Sequence, residues 1–320
     1  MIQEEQSQLR NDAKRLFGGE STSAVKDMIS ILSECLFKII NVHGREIPKS
    51  KAEGECKIIV QMLFSKLLTL QKMMDGIEYK SRDNVKLNKL IDPTVVAVLC
   101  RIVYETIAMF NLVYVIPQTD EEKKILYNLW VIAGLKYRQR FSSIAKSPES
   151  RQKQSDEYSL IIKLTSEIEN TAIYKSLTKD GQKIIQDKLK RKDYKIVING
   201  DDVVSLSWEG VIPLMGMKED IFGVMYTYFS LYSHPSNVAV FQYKDLFDKT
   251  KQDFIQMSNF NALSVIKLVS FFIADYIKLF PETMKIFESL HLIDQIMINF
   301  HSKFLRVDKS TINSAMDVLG

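Results

Sequence analysis

Apolar residues recur every three or four positions along most of this chain, and the breaks between those stretches carry helix-capping signals. Val25, Met28, Ile29, Leu32, Leu36, Ile39 and Ile40 form one stripe, opened by Ser21 or Ser23 and stopped at Gly44. Ser50-Lys51-Ala52-Glu53 reads as a capping box for a second helix that carries Ile58, Ile59, Met62, Leu63, Leu67, Leu70 and Met74 and ends at Gly76. The residues from there to about Leu90 read as a connection. Asp92-Pro93, an N-cap followed by proline at the first helical position, opens the most apolar helix, which Pro117 closes. Thr119-Asp120-Glu121-Glu122 is a further capping box, and the helix behind it runs to a break at Ser147-Pro148.

From Pro148 to Lys192 the chain is polar, with apolar beats at Ile161, Ile162, Ile168, Ile184, Ile185 and Leu189 that predict surface helices. The clear β signal follows, Lys195 to Ile198 and Val203 to Trp208 around Asn199-Gly200, because Asn-Gly supplies the positive φ angles of a tight hairpin turn. Beyond it the pattern predicts a short helix punctuated by Gly210 and Gly216, and an aromatic-rich helix from Lys218 to Tyr232. Helices then follow over Lys244 to Asn259, Asn261 to Leu279 and Pro281 to about Phe304, with a short terminal helix after Asp308. The expected fold is an all-α multihelical bundle with one small β-hairpin insertion near residues 195–208. It reads as a single helical domain over 1–320, with helices of 1–90 packing on a central bundle of 91–240 and C-terminal helices over 241–320. The helices starting at Pro93, Glu121 and Lys218 are expected at its centre.

Composition sharpens this picture in three ways. Twelve glycines and seven prolines in 320 residues are too few turn-formers for a sandwich or barrel. The two most apolar stretches, Val95 to Ile116 and Leu263 to Phe280, are interrupted by Arg101 and Glu105 and by Lys267, Asp275 and Lys278, which suits core helices and argues against membrane spans. Cys35, Cys56 and Cys100 are widely spaced in apolar helical contexts and read as reduced and structural. With an acidic, polar start at Met1-Ile2-Gln3-Glu4-Glu5 in place of a secretory signal, a cytoplasmic location is expected.

Several chemistries are excluded by spacing. Gly210 to Lys218 has five residues between its glycines and then Met-Lys, so it is not a phosphate-binding loop, and no dinucleotide fingerprint or nucleophile elbow occurs. His43, His234, His291 and His301 are dispersed, never paired with cysteine or carboxylate at ligand spacing, and no metal or cofactor is expected. What remains is Arg101 and Glu105, four residues apart on the most apolar helix, which share a face and can pair. A buried ion pair is stabilised only with further polar partners, and Ser233-His234 at the end of the aromatic helix is the partner expected. A histidine beside a carboxylate can act as general base or acid. For the same trio the favoured reading is a polar network that fixes how two helices dock, with a ligand or catalytic site the lesser one.

The net charge of +4 is mild and does not by itself call for nucleic acid. A basic cluster, Lys183, Lys188, Lys190, Arg191, Lys192 and Lys195, would be joined by Lys136, Arg138 and Arg140 only if the fold brings them together. Asp187 and Asp193 interleave, so a solvated helix face is the favoured reading and nucleic acid the lesser one.

Arg101-Ile102-Val103-Tyr104-Glu105, Ser207-Trp208-Glu209-Gly210 and Leu231-Tyr232-Ser233-His234-Pro235-Ser236 occur in an order that resembles a family of bacterial helical proteins classed as a domain of unknown function, over about residues 50 to 240. It is distantly similar to the helical HEPN class, whose bundles act as ribonucleases or nucleotide binders through an arginine followed four to six residues later by histidine. No arginine precedes any histidine here at that interval. The resemblance implies the bundle, and fold analogy alone implies no activity. The expected function is therefore a bacterial helical binding protein whose Arg101, Glu105, Ser233 and His234 take a small anionic or nucleotide-like ligand. The alternatives are a metal-independent nuclease or toxin-like enzyme using His234, and a homodimeric interaction scaffold built on the apolar C-terminal helices.

Overall fold

The computed structural model describes residues 2–19, 21–144, 147–234, 236–244 and 253–307. Their architecture is all-α, with two separate antiparallel two-stranded sheets. The chain forms two compact units, one of Met1–Ile107 and Gly216–Gly320, the other of Ala108–Met215. These divisions fall elsewhere than the groupings near residues 90 and 240 suggested by the sequence.

The first unit holds α1 (Ile2–Gly18), α2 (Thr22–Asn41), α3 (Lys51–Met74), strands β1 (Ile77–Lys80) and β2 (Lys86–Leu90), and most of α4 (Pro93–Phe110). After the second unit it continues with α10 (Glu219–Ser233), α11 (Asn237–Tyr243), α12 (Asp253–Leu279), α13 (Met284–Glu288) and α14 (Leu292–Leu305). Its centre is α12, apolar on nearly every side and fully buried at Val265, Ile266, Leu268, Val269, Phe271, Phe272 and Ile273. α2 and α14 pack on it, α3 packs on α2, and α1 packs on α14 with Phe17 stacked on Phe300. α12 is thus largely covered by neighbouring helices of the same unit.

The caps follow the sequence closely. Ser21 accepts a hydrogen bond from the Ala24 amide (3.1 Å), and Asp92 accepts from the Thr94 amide (2.9 Å). Three expectations need correction. Asn259 and Asn261 do not divide α12: Asn261 turns its amide into the core to donate to the Pro93 carbonyl (2.9 Å), and Asn259 accepts from Thr22 (3.1 Å). Pro281 to Phe304 is not one helix, because a 3-10 turn at Pro281–Thr283 and a break at Ser289-Leu290-His291 separate α13 from α14. Residues 77–90 form a second hairpin whose turn requires positive φ at Asn84, and β1 is exposed throughout, so it has no buried face to show as alternation. An N-terminal helix, α1, buries Ala13, Leu16 and Phe17. The start of the helix expected from Lys244 and the one after Asp308 lie outside the described residues.

In the second unit α5 (Asp120–Gln139), α6 (Pro148–Glu169), α7 (Ala172–Ser176) and α8 (Lys179–Arg191) precede strands β3 (Ile196–Asn199) and β4 (Asp202–Ser205), and α9 (Trp208–Leu214) ends it. Leu129 and Ile132 of α5, Ile161, Leu164 and Ile168 of α6, Ile185 and Leu189 of α8, and Ile196 and Val203 of the hairpin enclose one core. Of the apolar beats in the polar helices of 148–192, Ile161, Ile168, Ile185 and Leu189 lie in this shared interior, Ile184 packs against it, and Ile162 is exposed. The predicted hairpin forms one residue later than expected: Asn199 pairs with Asp202, and Gly200 takes the positive φ (64°) at the first turn position.

Pro93–Val115, α4 with the π-helical turn of Asn111–Val115, is long and apolar enough to cross a membrane by length and composition, and 61% of its most apolar stretch is buried, which fits a core helix. Cys35, Cys56 and Cys100 are free and buried, and burial pushes their thiols up, to about 12 for Cys35. Such thiols pack as small apolar groups and are poor nucleophiles.

His301 ties α14 to α1 through its Nε2, 3.1 Å from the Leu16 carbonyl, while Nδ1 is buried without a hydrogen bond. Nε2 must carry the proton to donate, so charging the ring would place a second proton where nothing accepts it. Burial accordingly lowers its pKa to about 4. The unfolded chain then binds a proton that the fold refuses, so the stability this ring confers is present above its unfolded pKa near 6.5 and lost as pH falls toward 4. The wild-type unfolding free energy, measured by denaturant titration, should fall by about 3 kcal/mol more than that of His301→Gln between pH 7 and pH 4.

Candidate functional site

On α4, in the first unit, Arg101 donates from Nε to Glu105 Oε1 at 2.9 Å, as the four-residue spacing predicts. The third partner is Tyr226 of α10: its hydroxyl donates to the same Glu105 oxygen (3.1 Å), and its ring lies 5.5 Å from the Arg101 guanidinium carbon. Tyr104, fully buried, and Phe222 pack against this group from below. Burial works against the Arg101 charge, but Glu105 and Tyr226 outweigh it and hold its pKa above the ordinary value.

His234 is not joined to this trio. It is exposed, at the C-cap of α10, and makes no side-chain hydrogen bond or ion pair to the described residues. Eight residues separate it from Tyr226, about 12 Å along a helix axis. Ser233 points back along its own helix and donates to the Phe229 carbonyl (3.0 Å). Arg101 and Glu105, with side chains 25% and 29% exposed, are satisfied by each other and by Tyr226, which makes them a docking contact between α4 and α10. Arg101→Met and Tyr226→Phe should each lower the unfolding free energy by about 1 kcal/mol in denaturant titration, and His234→Ala by less than about 0.5 kcal/mol.

A polar network not read from the sequence lies where α3 begins. Ser50 caps α3, but the Glu53 carboxylate reaches one residue further back than a capping box requires, accepting from the Lys49 amide (2.8 Å). Its other oxygen meets Lys57 (2.8 Å) and buried His43 (3.3 Å), whose Nδ1 shares a hydrogen bond with the Tyr276 hydroxyl (2.9 Å). Burial, then the Lys57 ammonium, lowers the His43 pKa. Hydrogen bonding to Lys57 lowers that of Glu53. His43, Glu53 and Lys57 are each at most 5% exposed, so the network serves to anchor α3 to α12.

The second unit does bring together what the sequence left conditional. α5 and α8 end side by side: Lys136 Nζ donates to the Leu189 carbonyl (2.9 Å) in the last turn of α8. Lys192, in left-handed conformation just past α8 (φ 60°), and Arg140, just past α5, both lie over the ring of Tyr137, at 5.9 and 5.7 Å from its centroid. Three residues further on, Lys195 lies 4.8 Å from the centre of the Trp208 ring and 5.7 Å from that of Tyr194, and those two rings meet edge to face. Lys190 and Arg191 are exposed at the same end of α8, and Lys183 lies two turns upstream.

Acidic groups here are already engaged. Asp193 pairs with Lys188 (2.6 Å) and Lys195 (2.5 Å). Burial opposes its charge, but these two bonds prevail and hold its carboxyl down at about 2. Glu157 is taken by Arg138. Arg140, Arg191 and Lys192 have no carboxylate partner among the described residues. Lys136 is held below its usual value by burial and by the charge of Lys192, a crowding that an anion would relieve. Tyr137 is 55% and Phe141 60% exposed, so aromatic surface is interleaved with the charges.

The fold and this surface define an all-α protein with a basic, aromatic-studded end on one of its two units. No family model, curated protein or solved structure matches the chain. Among the described residues no His, Cys, Asp and Glu cluster could hold a metal ion.

Proposed function

We propose that this chain is a binding protein for anionic, phosphate-bearing ligands, and that the ligand is held by the basic end of its second unit. The ligand class is the one expected from the sequence; its address moves from Arg101 to the place where α5 and α8 end. The observation that carries this reading is that Arg140 and Lys192, from two different helices, share the Tyr137 ring without a carboxylate between them. Guanidinium and ammonium groups left without counter-charges at the surface are what a phosphate oxygen requires. Arg101, by contrast, already spends its charge on Glu105.

Part of the basic content has a local cause. Lys136 and Arg138 in the last turn of α5, and Lys188, Lys190 and Arg191 in that of α8, complement the negative ends of two helix dipoles. That effect reaches only the last turn and is satisfied by a few charges. It does not account for Lys195 over Trp208, or for two cations on one ring beyond the helix ends. The reading is one of binding; no catalytic step is assigned.

Titration of the full chain with inorganic polyphosphate tests it. Affinity should fall steeply with salt, and the Arg140→Gln, Lys192→Gln double variant should bind at least tenfold more weakly, with a salt slope shallower by about one per contact removed. Arg101→Met should bind as wild type. Loss of binding in Arg101→Met, with the double variant unaffected, would place the ligand at α4 instead.

A further inference from the structure

We infer that the occupant of this surface is a single-stranded nucleic acid, whose phosphates lie on Arg140, Lys192 and neighbouring cations and whose bases stack on Tyr137 and on the outer edge of Trp208; this rests on the anion-binding reading above. A phosphate-only ligand needs charge and hydrogen-bond donors. It has no use for aromatic rings, and exposing them to water carries a cost that a purely electrostatic site would avoid. Here the rings are set among the charges. Tyr137 is more than half exposed beside Arg140 and Lys192, and Lys195 sits over half-buried Trp208, which Tyr194, packed on the core of the unit, meets edge-on.

The two ring positions are spaced for a strand. Lys192 and Lys195, which touch them, are three residues apart, so their backbones lie within about 10 Å of each other, and a chain of alternating phosphates and bases can engage both without leaving the surface. Alternation of cation and ring is the recognition chemistry of unpaired strands, since every base offers a π-face and a duplex keeps those faces stacked inside. Acidic peptides would find no use for the rings, and an anionic membrane would want a broad flat patch with an inserting apolar edge. The base-bearing polyanion uses every group present.

The chain contains two tryptophans, so Trp130→Phe leaves Trp208 as the one reporter. This full-length variant is titrated in parallel with a 20-nucleotide single-stranded RNA, the matching DNA strand, a duplex RNA, polyphosphate of similar charge and phosphatidylserine vesicles. The expected result is tighter binding of a single strand than of polyphosphate or duplex, with Trp208 emission quenched only by the single strand. Tyr137→Ala should weaken strand binding about tenfold and leave polyphosphate binding unchanged, while Tyr137→Phe restores it. RNA and DNA strands binding alike supports the inference, as does preference for one. If polyphosphate, duplex and single strand bind equally and Trp208 does not respond, stacking is overturned while the anion site stands. If vesicles bind and strands do not, the partner is a membrane. If nothing binds, the anion-binding reading fails as well.

Discussion

Two helix C-termini set side by side concentrate unsatisfied carbonyls and the negative ends of two dipoles, and the second unit answers this with basic side chains. Lys136 of α5 donates to a terminal carbonyl of α8, which fixes the two ends together. Once that contact is made, Lys192 and Arg140 must share the space over Tyr137, and the chain leaving α8 must carry Lys195 past Trp208. The charge that first serves the helices is thereby gathered into one surface. Its excess over the local carboxylates is the basis of the proposed anion binding.

The buried polar groups of the first unit follow a different economy. His43, Glu53, Lys57 and Tyr276 meet where α3 meets α12, with His43 Nε2 and Glu53 Oε1 held by charge contacts in place of hydrogen bonds, Arg101, Glu105 and Tyr226 join α4 to α10, and His301 gives its one donor to Leu16. Networks closed in this way specify how helices dock and leave little for a ligand. A perturbed histidine in such a setting reports packing, and chemistry would require access that His43 and His301 do not have.

Much of the fold was legible because helices announce themselves twice, by period and by cap. Ser21, Ser50, Asp92 and Thr119 each stand where a helix begins. The failures have equally local causes. Asn259 and Asn261 resemble a break because asparagine ordinarily competes with helix backbone, and only tertiary partners, Thr22 and the Pro93 carbonyl, hold them inside α12. The β1–β2 hairpin leaves β1 solvated and so produced no buried alternation. Of the expected site, the Arg101–Glu105 bond was readable from spacing, whereas its partner was not: Tyr226 and His234 lie on one helix, and only the docking of α10 on α4 decides which meets Glu105. The basic cluster was visible as two separate runs, 136–140 and 183–195, 43 positions apart, and nothing in either run reveals that α5 and α8 end together.

The most direct test of the account is lysine reactivity across the whole chain, read by mass spectrometry after brief acetylation with and without a saturating single-stranded 20-mer. Protection confined to Lys136, Lys190, Lys192 and Lys195, with exposed lysines of the first unit such as Lys49 and Lys51 modified equally in both states, is the predicted result. Unchanged reactivity at Lys192 and Lys195 in the bound state, or protection centred on the first unit, would contradict it.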